Sequence, residues 1–343
     1  MATIKLIGAP QSPYSRKMRS ALRYRRIPYQ WIRAGAKESQ NVPEVKIPGM
    51  VPVLWFAYDN PATDRAMLDS TFQLKHLEEL YSQRSLLPND PVVRFFAELL
   101  EDFADEWLTK CMFHYRWYYS PDIEKAGTIL PLELKWDQTD EQVQPLQAMF
   151  SKRQTERLEV VGSNATTKPV IEQSYRQILQ ALNSILTRQP FLLGHRASAA
   201  DFAFMGQLAC LTNFEQTSER VTLTVAPRVY AWVESVEDLS GEAVEANAWA
   251  PRETMLDLLS PLLDIIGTTY VPFLLANASA LNNGAEMVEC EINGATWQQK
   301  PFRYQGKCLR WLQEAFANLN EADQDFTKEI LSASGCNALV DTD

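Results

Sequence analysis

The sequence predicts an α/β domain at its start, an all-helical domain behind it, and a helix-rich extension carrying one β-hairpin. Three observations predict this. In the first 85 residues short apolar runs alternate with helical patterns in the order β-α-β, then β-β-α. From Pro91 onward apolar residues recur at helical spacing. Near the end, Val288, Cys290 and Ile292 alternate with Glu289 and Glu291 ahead of Asn293-Gly294, the strongest local signal for a hairpin. The expected domains span 1–85, 91–248 and 249–343.

Each element has a local reason. Thr3 to Ile7 reads as a buried strand bounded by Gly8 and Pro10. Ser12 is a good N-cap and Pro13 suits the first helical position, so a helix runs from Pro13 to Arg26. Arg16, Arg19, Arg23 and Arg26 form a basic stripe on it. Tyr29 to Ile32, Val51 to Tyr58 and Arg65 to Leu68 read as further strands, with Asp59-Asn60-Pro61 a turn. Asp69-Ser70 opens a helix to about Tyr81. The order of these elements is that of the thioredoxin fold. In the second half, Phe95, Phe96, Leu99, Leu100, Phe103 and Trp107 make one apolar helical face. Lys168 to Thr187 and Pro227 to Val236 are further helices, and Ser198…Asp201 is a capping box opening an apolar run to Leu211. Leu309, Leu312, Phe316 and Leu319 mark an amphipathic helix after the hairpin.

Composition narrows the class. With 46% apolar and 22% charged residues among 343, the chain is neither disordered nor fibrous. No basic, apolar and cleavage-site regions follow one another at the N-terminus, so no secretory signal is expected. Pro261 to Leu281 is apolar but holds Asp264, Pro272 and Asn277, which predicts a buried helix pair rather than a membrane span. Five widely spaced cysteines, three histidines and no CxxC predict free thiols in a reducing cytoplasm and no metal site. The net charge is −10, yet residues 1–43 hold nine cations against the single acid Glu38. That asymmetry suits a small anionic ligand better than nucleic acid, although a solvated helix face reads the same way.

Four motifs carry a resemblance. Ser12-Pro13-Tyr14-Ser15-Arg16 follows the first strand, Val51-Pro52-Val53-Leu54 marks the third, and Asp69-Ser70 follows the fourth. Phe191-Leu192-Leu193-Gly194 precedes Ser198-Ala199-Ala200-Asp201-Phe202 in the helical half. Together they resemble the cytosolic glutathione transferases, over roughly residues 1 to 245, and most closely the serine-type, omega- and tau-like classes. The extension departs from that family. The resemblance implies a thioredoxin-like glutathione-binding domain, glutathione as co-substrate, an apolar small-molecule substrate in a detoxifying conjugation, and a homodimer, with no nucleic acid and no membrane.

The chemistry fits those positions. A free thiol titrates near 8.5, so little thiolate exists at neutral pH. A hydroxyl donating to the sulfur at a helix N-terminus stabilises the anion. Ser12 supplies both and is the expected catalytic residue, with Tyr14 and Ser15 as rival donors; Ser-Pro is equally an ordinary helix start. Pro52 is expected to be cis, turning the backbone of Val51 toward the tripeptide, where a trans proline at a strand start is the plainer reading. Ser70 and the free N–H groups beside it can bind the γ-glutamyl carboxylate and Asp69 its ammonium, or the pair simply caps a helix. The expected ligand-binding set is thus Ser12, Tyr14, Val51, Pro52, Asp69 and Ser70, with no metal. Arg16, Lys37 and Lys46 are candidates for the glycyl carboxylate. Glu98, Glu101, Asp102, Asp105 and Glu106 read as a solvated acidic face, or as the family's dimer contact. Tyr115 and Arg116 are expected at a second-substrate pocket. The extension covers the pocket, builds a dimer or meets another protein. Two other functions fit the same residues: a non-catalytic glutathione-fold binding module, and glutathione-dependent isomerisation, dehalogenation or ether cleavage.

Overall fold

The computed structural model describes residues 2–245 and 248–341. Residues 1 and 343, at the limits of the first and third expected spans, lie outside the described residues, as do 246–247.

Four strands form a mixed sheet in the order β2-β1-β3-β4: β1 (Thr3–Gly8), β2 (Gln30–Arg33), β3 (Val53–Ala57) and β4 (Arg65–Met67). β1 runs parallel to β2, with Leu6 opposite Trp31, and antiparallel to β3, with Leu6 opposite Leu54. The parallel step needs a crossover, supplied by α1 (Pro13–Tyr24). Ser12 caps α1 and Pro13 starts it, as the sequence predicts. α2 (Ser70–Leu80) follows β4 with Asp69 as its N-cap. This thioredoxin-like unit carries the chain into a helical domain.

The helical domain opens with α3 (Pro91–Phe103), whose axis passes through a π-helical turn at Ala104–Leu108 into α4 (Thr109–Tyr118). α5 (Ser120–Lys135), α6 (Asp140–Glu156), α7 (Lys168–Leu186), α8 (Ala199–Asn213), α9 (Gln216–Val225) and α10 (Pro227–Val236) follow. α8 is the central helix, buried from Ala199 to Thr212. It can lie against α1 because Gly206 lacks a side chain: a Cβ there would come within 2.4 Å of the Pro13 carbonyl. The Ser198–Asp201 capping box is present, and Asp201 also accepts from the Leu192 amide at 2.8 Å, tying the preceding turn to α8.

The extension comprises α11 (Met255–Ile265), a π-helical turn at Ile266–Tyr270, α12 (Val271–Asn283), the hairpin β5 (Val288–Ile292) and β6 (Ala295–Gln299), α13 (Arg303–Ala317) and α14 (Glu321–Ala333). The hairpin turns at Asn293 and Gly294, both with positive φ, as the Asn-Gly pair predicts. The segment read as a buried helix pair is instead one helical path through the π turn. Arg252–Asn283 is long and apolar enough to span a membrane by length and composition, but most of its apolar window is buried within the protein. Leu259, Leu262, Phe273, Trp297 and Leu331 belong to the same apolar core as Phe96, Phe103 and Phe202 of the helical domain.

The basic stripe of α1 is not a free surface. Arg16 pairs with Glu237 at 2.6 Å, Arg23 and Ser20 donate to the Glu237 carbonyl, and Arg26 donates to the Ser240 carbonyl. These cations meet the carbonyl-rich end of α10. Arg25 is buried on Glu78 at 2.9 Å.

Candidate functional site

A cavity of about 1370 Å³ opens where the first domain meets α3 and the extension. Tyr14, Val51, Pro52, Asp69 and Ser70 all line it, so five of the six expected ligand-binding residues converge on one space.

Local structure explains the convergence. The Val51–Pro52 peptide is cis. Gln73, fully buried on α2, donates to the Pro52 carbonyl at 2.9 Å and to the Met67 carbonyl at 2.8 Å, joining the proline loop to β4. Asp69 has φ +75°, a conformation a non-glycine residue adopts rarely. Its carboxylate accepts from the Thr71 amide at 3.1 Å, so the helix N-terminus and the acid face the same space.

Ser12 is the sixth residue, and it does not line the cavity; it stands two positions before Tyr14, which does. Its Oγ accepts from the Ser15 amide at 3.3 Å. That contact uses an oxygen lone pair and leaves the hydroxyl proton to donate. Of the rivals, only the Tyr14 hydroxyl has its proton committed elsewhere. The Tyr14 hydroxyl donates to the Asp105 carbonyl at 2.8 Å, and burial with two nearby carboxylates raises it well above the usual tyrosine range. Ser15 is fully buried and its Oγ accepts from the Ala9 amide.

Other expectations are corrected. Arg16 is held by Glu237 and by Gln11 Oε1 at 2.9 Å, while Lys37 and Lys46 are exposed and do not line the cavity. Tyr115 is core, packed on Tyr119 and Tyr175, and Arg116 is a buried partner of Glu215 that also donates to the Gln11 carbonyl. Neither lines the cavity. The acids of α3 and its π turn are not a solvated face. Glu101, Asp105 and Glu106 are 3%, 7% and 8% exposed.

Lys17, read as part of a surface patch, is fully buried and explains part of that burial. Its Nζ donates to Glu101 and to Asp105 at 2.6 Å each, and to Thr71 Oγ at 3.4 Å. A buried ammonium needs such partners. Nearby, Asp102 accepts from Tyr270 at 2.7 Å. Burial lifts Asp102 to about 7 and Asp105 to about 6, the latter against the pull of Lys17, and lifts Glu106 well above the carboxylate range.

The extension supplies an unforeseen wall. The Tyr304 hydroxyl donates to Asp69 Oδ2 at 2.6 Å, and Trp311 packs edge-on against Phe72 with centroids 4.9 Å apart. Gln305 and Cys308 also line the cavity. The thiol-free first domain therefore faces a thiol from elsewhere in the chain. Burial and the neighbouring acids Asp102 and Glu106 push that thiol far up, which keeps it protonated and unreactive. Among the described residues no group of three or more His, Cys, Asp or Glu is placed to hold a metal ion.

With this geometry in place, two family models match the chain. The glutathione S-transferase N-terminal domain covers residues 6–85, and the glutathione S-transferase C-terminal domain covers residues 146–241. Together they span just over half of the chain, which belongs to the glutathione S-transferase superfamily. Among curated relatives, glutathione S-transferase U6 of Arabidopsis thaliana is 26% identical over 105 residues, 30% of this chain and 44% of that protein. A probable glutathione S-transferase of Nicotiana tabacum is 29% identical over 108 residues, 30% of this chain and 46% of that protein. The chain thus spans less than half the length of these relatives. Among solved structures, rice GST1 in complex with glutathione aligns at 19% identity with TM-score 0.44, over 68% of this chain and 86% of that one. Beta-etherase LigF from Sphingobium aligns at 18% identity with TM-score 0.49, over 68% and 94%.

Proposed function

We propose that this chain is a glutathione transferase that conjugates the glutathione thiolate to an electrophile with an apolar body. The observation that carries the reading is the convergence of Tyr14, Val51, Pro52, Asp69 and Ser70 on one cavity. The tripeptide pairs with the backbone of Val51 as an added strand would. Its γ-glutamyl carboxylate meets the start of α2 and Ser70, and its ammonium meets Asp69. Ser12 donates to the sulfur at the start of α1, and conjugation follows from ionisation and proximity. The electrophile lies against Phe95, Phe302, Trp311 and Leu312, which line the same cavity. All five cysteines are free, which supports a reducing cytoplasm. The acidic helix face expected at a homodimer contact lines the cavity instead, so a homodimer would form through another face.

The test is Ser12→Ala. Loss of one charge-assisted hydrogen bond should lower kcat/KM with a generic electrophile about 10- to 100-fold. The thiolate absorbance of bound glutathione should titrate at higher pH, with glutathione affinity little changed. One observation favours a second reading: Ser12 stands outside the cavity wall, as suits a module that binds glutathione without activating it. Tight glutathione binding with no thiolate signal in either protein would select that module.

A further inference from the structure

We propose that Gln73 is a positioning residue for glutathione: its one buried side-chain amide fixes the spacing between the seat of the cysteinyl residue and the seat of the γ-glutamyl group. This role rests on the tripeptide seating given above and not on the thiolate chemistry.

The two seats lie on separate pieces of chain. Val51 and Pro52 precede β3, whereas Asp69 and Ser70 follow β4 and open α2. The pairing of β3 with β4 ends at Leu54 opposite Met67, short of both seats. The ladder alone therefore leaves their separation open. A tripeptide that touches both seats gains if that separation is set beforehand, because its second contact then forms within one complex.

Gln73 bridges the gap. It stands in the first turn of α2, is fully buried, and does not itself line the cavity, so it acts through the residues that do. Its Nε2 carries two protons. One goes to the Pro52 carbonyl at 2.9 Å and the other to the Met67 carbonyl at 2.8 Å. These partners settle which way the amide points, since a flipped amide would set its oxygen against two carbonyl oxygens. The backbone N–H of Gln73 donates to the Asp69 carbonyl at 2.9 Å. One residue thus holds Pro52 on one side and Met67 and Asp69 on the other. Its own Oε1 is buried without a donor, a penalty that an apolar side chain of similar length would avoid. What the amide provides in return is the fixed pair of carbonyls.

The experiment measures two affinities on the full chain by competition calorimetry. One ligand is S-methylglutathione. The other is N-acetyl-S-methylcysteinylglycine, which keeps the cysteinyl backbone and lacks the γ-glutamyl carboxylate and ammonium. The wild type should prefer the tripeptide. Gln73→Met, close in length and without a donor, should cut that preference about tenfold through the loss of two hydrogen bonds. It should weaken the truncated ligand by less than about twofold. Equal losses for both ligands would mean a general loosening of the loop and overturn the positioning role. If Gln73→Met does not fold, Gln73→Glu decides: it keeps the shape with at most one donor, and the preference should fall about threefold. An unchanged preference in the variant that folds overturns this role alone. A wild type that binds no S-methylglutathione overturns the seating itself and this role with it.

Discussion

Asp102 shows how burial turns a single carboxyl into a pH-dependent contributor. Its ordinary value is 3.8, and burial lifts it to about 7 in the folded chain. Folding therefore favours the protonated acid. The stabilisation is complete below pH 4 and is lost as pH climbs through 7. The thermal midpoint of the wild type should fall between pH 5 and pH 8. Asp102→Asn, which keeps an acceptor for Tyr270, should flatten that slope; a slope unchanged by the substitution would remove Asp102 as its source. The same scale shows what local sequence conveys. Ser12, Asp69 and Ser198 are legible because a cap is defined by residues within a turn of it. Lys17 was not, since its partners lie 84 and 88 positions away. Sequence places it beside Arg16 and Arg19 and so reads it as surface, whereas only the fold reveals that it faces Glu101 and Asp105.

At the level of elements, α13 matters most to the site. Its tyrosine at position 304 holds Asp69 Oδ2 while the Thr71 amide holds Oδ1. Both oxygens keep a second lone pair for a ligand, and the carboxylate is held in one orientation before the ligand arrives. Tyr304→Phe should weaken glutathione about threefold to tenfold through the loss of that hydrogen bond. A glutathione analogue lacking the α-amino group should bind both proteins alike. An equal loss for both ligands would mean a general collapse of the wall rather than a role through Asp69. The amphipathic period of α13 was visible in the sequence, and so was the hairpin before it. The surface α13 covers was not, because periodicity identifies an apolar face and leaves its partner open. For that reason the acids of α3 were read as solvated and Arg116 as a pocket residue.

Across the whole molecule, the extension and the helical domain share one apolar core. Leu262, Phe273 and Leu331 are fully buried within it. Arg252 adds a polar clasp, pairing with Asp90 at 2.6 Å and Asp323 at 2.5 Å. Calorimetry should show a single cooperative transition for the full chain. A chain ended after residue 248 should be insoluble, because faces of α3 and α7 would lose their cover. Two separate transitions, or a soluble shortened protein, would contradict the shared core.

Tyr304 stands near the end of the sequence and touches a residue 235 positions before it. On a ribosome the N-terminal half emerges and begins to fold first. The first domain must wait, its Asp69 still open to water, until α13 has left the exit tunnel. The ligand chamber is therefore finished only once α13 has emerged, and a chain stalled before residue 304 would carry the early motifs without an enclosed chamber.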